Sequence, residues 1–235
     1  MGEIAIIGGT GIGELLAAWP GRSLAVPTER GMMRGRRVER EGLSLICLQR
    51  HSLGHKLPPH AVPYAAMALG LKQLGVNWCL STAAVGSLRT DWPVGTLAAC
   101  EGFVDVSGRN LTLYDRVVKH VDMGTVFPAA SALEESGDVQ KGAVYLNVNG
   151  PRYETHAEIR SFQKLADVVG MTAGSEATMM REAGIGYGCL SIVTNLAAGL
   201  APVELQHGEV ADIMKTRGQD VLTILLRAAK ILSER

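Results

Sequence analysis

Residues 143–195 read AVYLNVNGPRYETHAEIRSFQKLADVVGMTAGSEATMMREAGIGYGCLSIVTN, three short apolar runs separated by two segments of helical character. Ala143–Val148, Val168–Met171 and Tyr187–Thr194 have the length and apolar content of buried strands. Thr155-His-Ala-Glu158 is a capping box, in which a Thr hydroxyl and a Glu carboxylate each take a backbone N–H that the first helical turn leaves free. It starts a helix expected to run to about Ala166, and a second helix is expected over Glu176–Ala183. Alternation of this kind predicts an α/β chain whose central sheet is covered by helices. Glu154, Thr172 and Asn195 then fall beside a tight turn and at two strand ends, where such a sheet usually opens onto its ligand.

The alternation extends outward in both directions. Glu3–Gly8 reads as a strand followed by a glycine loop and a short helix to about Trp19. Leu43–Gln49, Asn77–Thr82 and Gly95–Val106 read as strands, and Val62–Leu74 as a helix with Pro63 tolerable in its first turn. Glu209–Ser233 is amphipathic at helical spacing, with Gly218 a point where it breaks or bends. The polar stretch Ser131–Lys141 is expected to be a mobile surface loop. No repeat, low-complexity tract or linker divides the chain, so residues 1–235 are expected to form a single domain.

Composition narrows the function classes. A length of 235 residues suits one well-buried domain. Lys plus Arg and Asp plus Glu number 23 each, and the formal net charge is zero, which disfavours electrostatic binding of nucleic acid. A small anion needs only a local positive site. The N-terminus, MGEIAIIGGTG, lacks the basic start of a signal peptide. The most apolar window, about Leu190–Val203, is interrupted by Ser191, Thr194 and Asn195 and is too short to span a bilayer. Cys47, Cys79, Cys100 and Cys189 are scattered, with no CxxC pair, and are expected to be buried reduced thiols of a cytoplasmic protein.

Several motifs carry chemistry. Gly8-Gly9-Thr10-Gly11-Ile12-Gly13-Glu14 follows a strand and opens a helix, a turn that presents N–H groups and the Thr10 hydroxyl to an anion. It fits neither better-known phosphate pattern: Glu14 stands where the dinucleotide fingerprint needs its third glycine, and Glu14-Leu15 stands where a P-loop needs Lys-Ser/Thr. Arg50-His51 ends a strand, and an arginine there can grip phosphate with two parallel hydrogen bonds. The alternative is a surface Arg and a satisfied His. His51 and His55 are four apart, but Gly54 and Pro58 break the helix that a zinc-hydrolase motif requires, so no metal is expected. Thr82-Ala83-Ala84-Val85-Gly86-Ser87 reads as a small-residue turn that lets backbone approach a ligand, or simply as a packing turn. Glu176 favours its helix N-terminus.

In order and spacing, GGTG, RH, the turn ending GSL, GPRYETHAEI, GMT followed by SEA, and TN resemble the trimeric purine nucleoside phosphorylase and methylthioadenosine phosphorylase family over nearly the whole chain. The resemblance implies a mixed, twisted, partly barrel-like sheet flanked by helices, a homotrimer, and a reaction that uses inorganic phosphate without metal or organic cofactor. It also implies that Thr10, Arg50, His51, Ala84 (through its N–H) and Thr172 bind phosphate. Met171 would lie against the ribose, and Glu154 and Asn195 would hold the purine. Relatives acting on adenine nucleosides carry Asp where this chain has Asn195. An Asn amide can donate to O6 or N7 and Glu154 can accept from N1–H, so the pair resembles the 6-oxopurine-specific branch.

The 5′ end gives two signals. His207 resembles the His of 5′-hydroxyl nucleoside enzymes, whereas RHSLGH and LPPHAV resemble the methylthio-nucleoside branch, in which His55 would border the 5′ pocket. Departures from the family pattern are Ala83, Gly174-Ser175 before Glu176, Pro63 and a short stretch from Tyr114 to Gly142. The expected reaction is phosphorolysis of inosine or guanosine in purine salvage. Phosphorolysis of 5′-methylthioinosine or 5′-methylthioadenosine, and more remotely an NAD-dependent oxidoreductase, stand as alternatives.

Overall fold

Five consecutive buried residues make up β1 (Ile4–Gly8), and a strand buried on both faces needs partners on both edges. In the computed structural model, which describes residues 2–200 and 207–235 without the side chains of 207–212 and 215, β1 lies parallel to β4 (Leu43–Gln49) and to β5 (Trp78–Ser87). Beyond β5 the sheet closes on itself. β5 pairs antiparallel with β8 (Val168–Gly170), β8 parallel with β7 (Gln140–Asn147), β7 parallel with β6 (Leu97–Asp105), β6 antiparallel with β9 (Gly186–Leu196), and β9 returns parallel to β5. The expected mixed, partly barrel-like α/β sheet is therefore present.

Helices cover two sides. On one, α2 (Tyr64–Gln73) and α5 (Ala173–Ala183) bury Tyr64, Met67, Leu71, Ala177 and Met180 against the sheet. On the other, α1 (Ile12–Ala17), α3 (Ala130–Ser136) and α6 (His207–Ser233) bury Ile12, Leu16, Leu133, Val221 and Leu225. The capping box is formed as expected, Glu158 N–H donating to the Thr155 hydroxyl and Thr155 N–H to Glu158, at the start of α4 (His156–Phe162). All four cysteines are free and buried.

Several expectations are corrected. A hairpin of β2 (Arg22–Thr28) and β3 (Gly31–Arg40) extends the sheet past β4. Its sequence hides it, because Pro27 and many arginines look unlike a strand. Yet β2 is the outermost strand, where proline and charge are tolerated and block further pairing. Ser131–Lys141 is not a loop: it holds most of α3 and the start of β7, and α3 is fixed by burial of Ala132 and Leu133 under α6. α4 stops at Phe162, short of Ala166, where Gln163 caps it and reaches the Leu88 carbonyl at 3.1 Å. α5 begins at Ala173, not Glu176. Thr82–Ser87 is strand, not turn. Gly218 does not break α6, since a Cβ there would meet the Leu15 side chain at 2.7 Å and its absence lets α6 approach α1.

Candidate active site

Parallel strands β1, β4, β5 and β9 end on the same side of the sheet, and a cavity of about 210 Å³ opens there, beside the crossing of β5 and β8 at Gly86 and Val169. Its lining includes Thr10 after β1, Arg50 and His51 after β4, His55, Ala84 in β5, Glu154 before α4, Met171 and Thr172 between β8 and α5, and Asn195 in β9. Nine of the ten site residues expected from sequence thus meet in one cavity. The tenth, His207, opens α6, and its side chain lies outside the described residues.

Arg50 is placed by backbone and charge together. Its N–H donates to the Gly8 carbonyl at 3.1 Å, which sets the chain as it leaves β4. The guanidinium turns inward: Nε and Nη2 donate to the two Glu176 oxygens at 2.6 and 2.8 Å, and Nη1 donates to the Thr82 carbonyl at 2.7 Å. A Cβ on Gly9 would lie 2.4 Å from Nη1, so only glycine fits that turn. Burial by itself disfavours the charge, but Glu176 outweighs it and holds the guanidinium above its ordinary pKa.

The two-point grip expected for an anion is therefore made on Glu176. Of five guanidinium N–H groups, three are committed and two are left for a ligand. Glu176, expected only to favour a helix N-terminus, is a fully buried counter-ion, also bonded by the Tyr187 hydroxyl at 2.7 Å.

His51 is neutral. Burial, with Arg50 adjacent, brings its pKa down to about 4. Its Nδ1 lies 2.8 Å from the Leu57 carbonyl, an acceptor, so Nδ1 carries the proton and Nε2 keeps a lone pair. The His55 ring stacks on it at 4.3 Å.

Asn195 owes its aim to a β-bulge. β5 and β9 run in register to Val85 and Val193, then Gly86 pairs with Asn195, which leaves Thr194 as the extra residue. Successive strand residues normally face opposite ways, but the bulge lets Thr194 and Asn195 line the same cavity. The Thr194 hydroxyl donates to Asn195 Oδ1 at 3.0 Å, and Asn195 Nδ2 donates to the Leu196 carbonyl at 3.0 Å. A reversed amide would set Oδ1 against that carbonyl, so nitrogen is fixed on this side with one N–H to spare.

Glu154 is half-buried, and burial pushes its carboxyl above the usual range. Thr172 is the N-cap of α5, with its backbone N–H donating to the Tyr145 hydroxyl at 3.2 Å. Sequence reasoning missed Tyr145, Tyr187 and Arg109, whose partners lie farther along the chain, and it missed Thr194, whose hydroxyl bonds its neighbour Asn195. For Thr194 the adjacent TN pair was a signal.

The family model described as the phosphorylase superfamily matches residues 3–230. The probable 6-oxopurine nucleoside phosphorylase of Thermococcus kodakarensis is 35% identical, over 99% of this chain and 93% of its own length. The probable S-methyl-5′-thioinosine phosphorylase of Methanothermobacter thermautotrophicus is 39% identical, over 97% and 84%. Among solved structures, a methylthioadenosine phosphorylase sourced from an antarctic soil metagenomic library superposes with a TM-score of 0.89 at 28% identity, covering 100% of this chain and 87% of that one. These matches set aside the oxidoreductase alternative: the chain belongs to the phosphorylase superfamily, as a nucleoside phosphorylase.

Proposed function

We propose that the protein catalyses reversible phosphorolysis of 6-oxopurine nucleosides, inosine and guanosine, giving the free purine and ribose 1-phosphate. The observation that carries this reading is the meeting of Asn195 and Glu154 with Thr10, Arg50 and Thr172 in one cavity. Phosphate sits under C1′, bonded by the Thr10 and Thr172 hydroxyls, the Ala84 N–H and the two uncommitted Arg50 N–H groups, with Met171 against the ribose. Neutral His51 offers its Nε2 lone pair to the phosphate hydroxyl.

The C1′–N9 bond breaks ahead of attack, so positive charge gathers on the sugar and its electron pair stays with the purine. A phosphate oxygen then bonds to C1′, and the proton that phosphate loses balances the one gained by the base. Asn195 donates to the purine as it becomes electron-rich, a contact stronger in the transition state than before. Glu154, made more basic by burial, accepts from N1–H. Holding both reactants together contributes much of the rest. Inorganic phosphate is the co-substrate, and no cofactor enters the scheme.

A second reading, 5′-methylthioinosine as substrate, keeps the same base chemistry. It is favoured by His55 in the cavity lining and by the name of one relative. Adenine nucleosides are disfavoured by Asn195, which presents an amide donor rather than the acceptor-only Asp. A homotrimer working in the cytoplasm in purine salvage accompanies the proposal, and light scattering tests the assembly. The decisive assay is phosphate-dependent release of base from inosine, guanosine, 5′-methylthioinosine and 5′-methylthioadenosine. Faster turnover of 5′-methylthioinosine selects the second reading, and efficient release of adenine overturns both.

A further inference from the structure

We propose that Arg109 is a positioning residue that sets the phosphate-binding and purine-binding segments relative to each other. The inference rests on the phosphorolysis reading above. Arg109 belongs to the irregular stretch between β6 and α3 and does not line the cavity.

A single guanidinium grips both segments. Nη1 donates to the Met171 carbonyl at 2.9 Å and to the Ser175 hydroxyl at 3.0 Å. Nε donates to Asn149 Oδ1 at 2.8 Å, and Nη2 to the Asn149 carbonyl. The Met171–Thr172 peptide is thereby held at both polar atoms, its oxygen by Arg109 and its N–H by the Tyr145 hydroxyl at 3.2 Å. That peptide carries Thr172, and Asn149 begins the short stretch that leads to Glu154. A planar, rigid fork suits such a joint, because it fixes direction as well as distance.

The placement also opposes a simple structural preference. Arg109 sits at the first turn of α5, where the helix dipole disfavours a cation, and among the described residues no carboxylate stands in hydrogen-bond contact with it. Its own segment is anchored separately: Glu182 accepts from Thr112 Oγ1 at 2.9 Å and from the Leu113 N–H at 2.5 Å, and Arg30 pairs with Asp115. Loss of Arg109 therefore leaves the loop tethered while freeing the two site segments.

The test compares wild type, Arg109→Ala and Arg109→Lys in steady-state phosphorolysis of inosine, with melting temperature measured alongside. The expected result is a fall in kcat/KM of roughly thirtyfold to a hundredfold for Arg109→Ala, the effect of a misplacement of about 1 Å. KM should rise for phosphate and nucleoside together, and free guanidinium at sub-denaturing concentration should restore part of the rate. Arg109→Lys should fall between. Rates within twofold of wild type, or a loss that neither guanidinium nor lysine repairs, would overturn the inference. Should the alanine variant fail to fold, the lysine variant decides by the same KM comparison. A wild type inactive on every nucleoside would sink the functional reading instead. Stabilisation by inorganic phosphate, weaker in Arg109→Ala than in wild type, then decides for Arg109, and equal stabilisation overturns it.

Discussion

Arg50 and Glu176, 126 residues apart in sequence, meet in a two-point ion pair at 2.6 and 2.8 Å with each side chain 1% exposed. The pair joins the end of β4 to the first turns of α5, so these two elements are locked together before any ligand arrives. The Arg50 guanidinium is held charged inside the fold by a carboxylate that does not line the cavity.

Removing that carboxylate strands a buried charge. Glu176→Ala should lower unfolding free energy by about 3–5 kcal/mol, read from denaturant melts. Replacing both partners by apolar residues should be milder than Glu176→Ala alone. A Glu176→Ala loss below about 1 kcal/mol, the scale of a surface pair, would contradict the burial of the pair.

Gly9→Ala tests the turn against the guanidinium. The new Cβ would stand 2.4 Å from Arg50 Nη1 and 2.8 Å from the Thr82 carbonyl, and neither can retreat without breaking the bond between them. A destabilisation of about 1–3 kcal/mol is expected, with KM for phosphate raised more than KM for the nucleoside. An unchanged KM for phosphate would separate this turn from the anion.

For Asn195 and Thr194, kinetics give the readout. Asn195→Ala should lower kcat on inosine about a hundredfold or more, the loss of one transition-state donor of roughly 3–4 kcal/mol. Thr194→Val removes the hydroxyl that steadies the amide, worth about 1 kcal/mol, and should lower kcat/KM roughly fivefold. Normal turnover of inosine by Asn195→Ala would remove the leaving-group role from this residue.

His51 makes stability depend on pH. In the unfolded chain it titrates near 6.5 and in the fold at about 4, so between those values unfolding takes up a proton. Its contribution is complete above about pH 6.5 and is lost as pH falls towards 4, on the order of 3 kcal/mol in all. His51→Gln should show a flatter decline between pH 7 and 4.5 in denaturant melts. Parallel declines would mean that folding leaves the His51 pKa unshifted.

The legible part of the site lay in short motifs at strand ends. Thr10, Arg50, Thr172 and Asn195 could be placed because each follows or ends an apolar run, and parallel strands deliver such positions to a common edge. Arg109 offered no such signal, standing in an irregular stretch with acceptors 40 to 66 residues away. The β2–β3 hairpin escaped because an outermost strand is selected against pairing rather than for burial.

Sequence by itself determined the α/β alternation, the capping box at Thr155 and the residue types available to a ligand, since each depends on neighbours a few positions away. Tertiary structure alone decided that Glu176 neutralises Arg50, that a bulge turns Thr194 and Asn195 to the same side, and that α3 is a helix. The physical reason is range: propensity and capping act within a turn or two of chain, whereas burial, ion pairing and strand register are set by residues that meet only after the chain has folded.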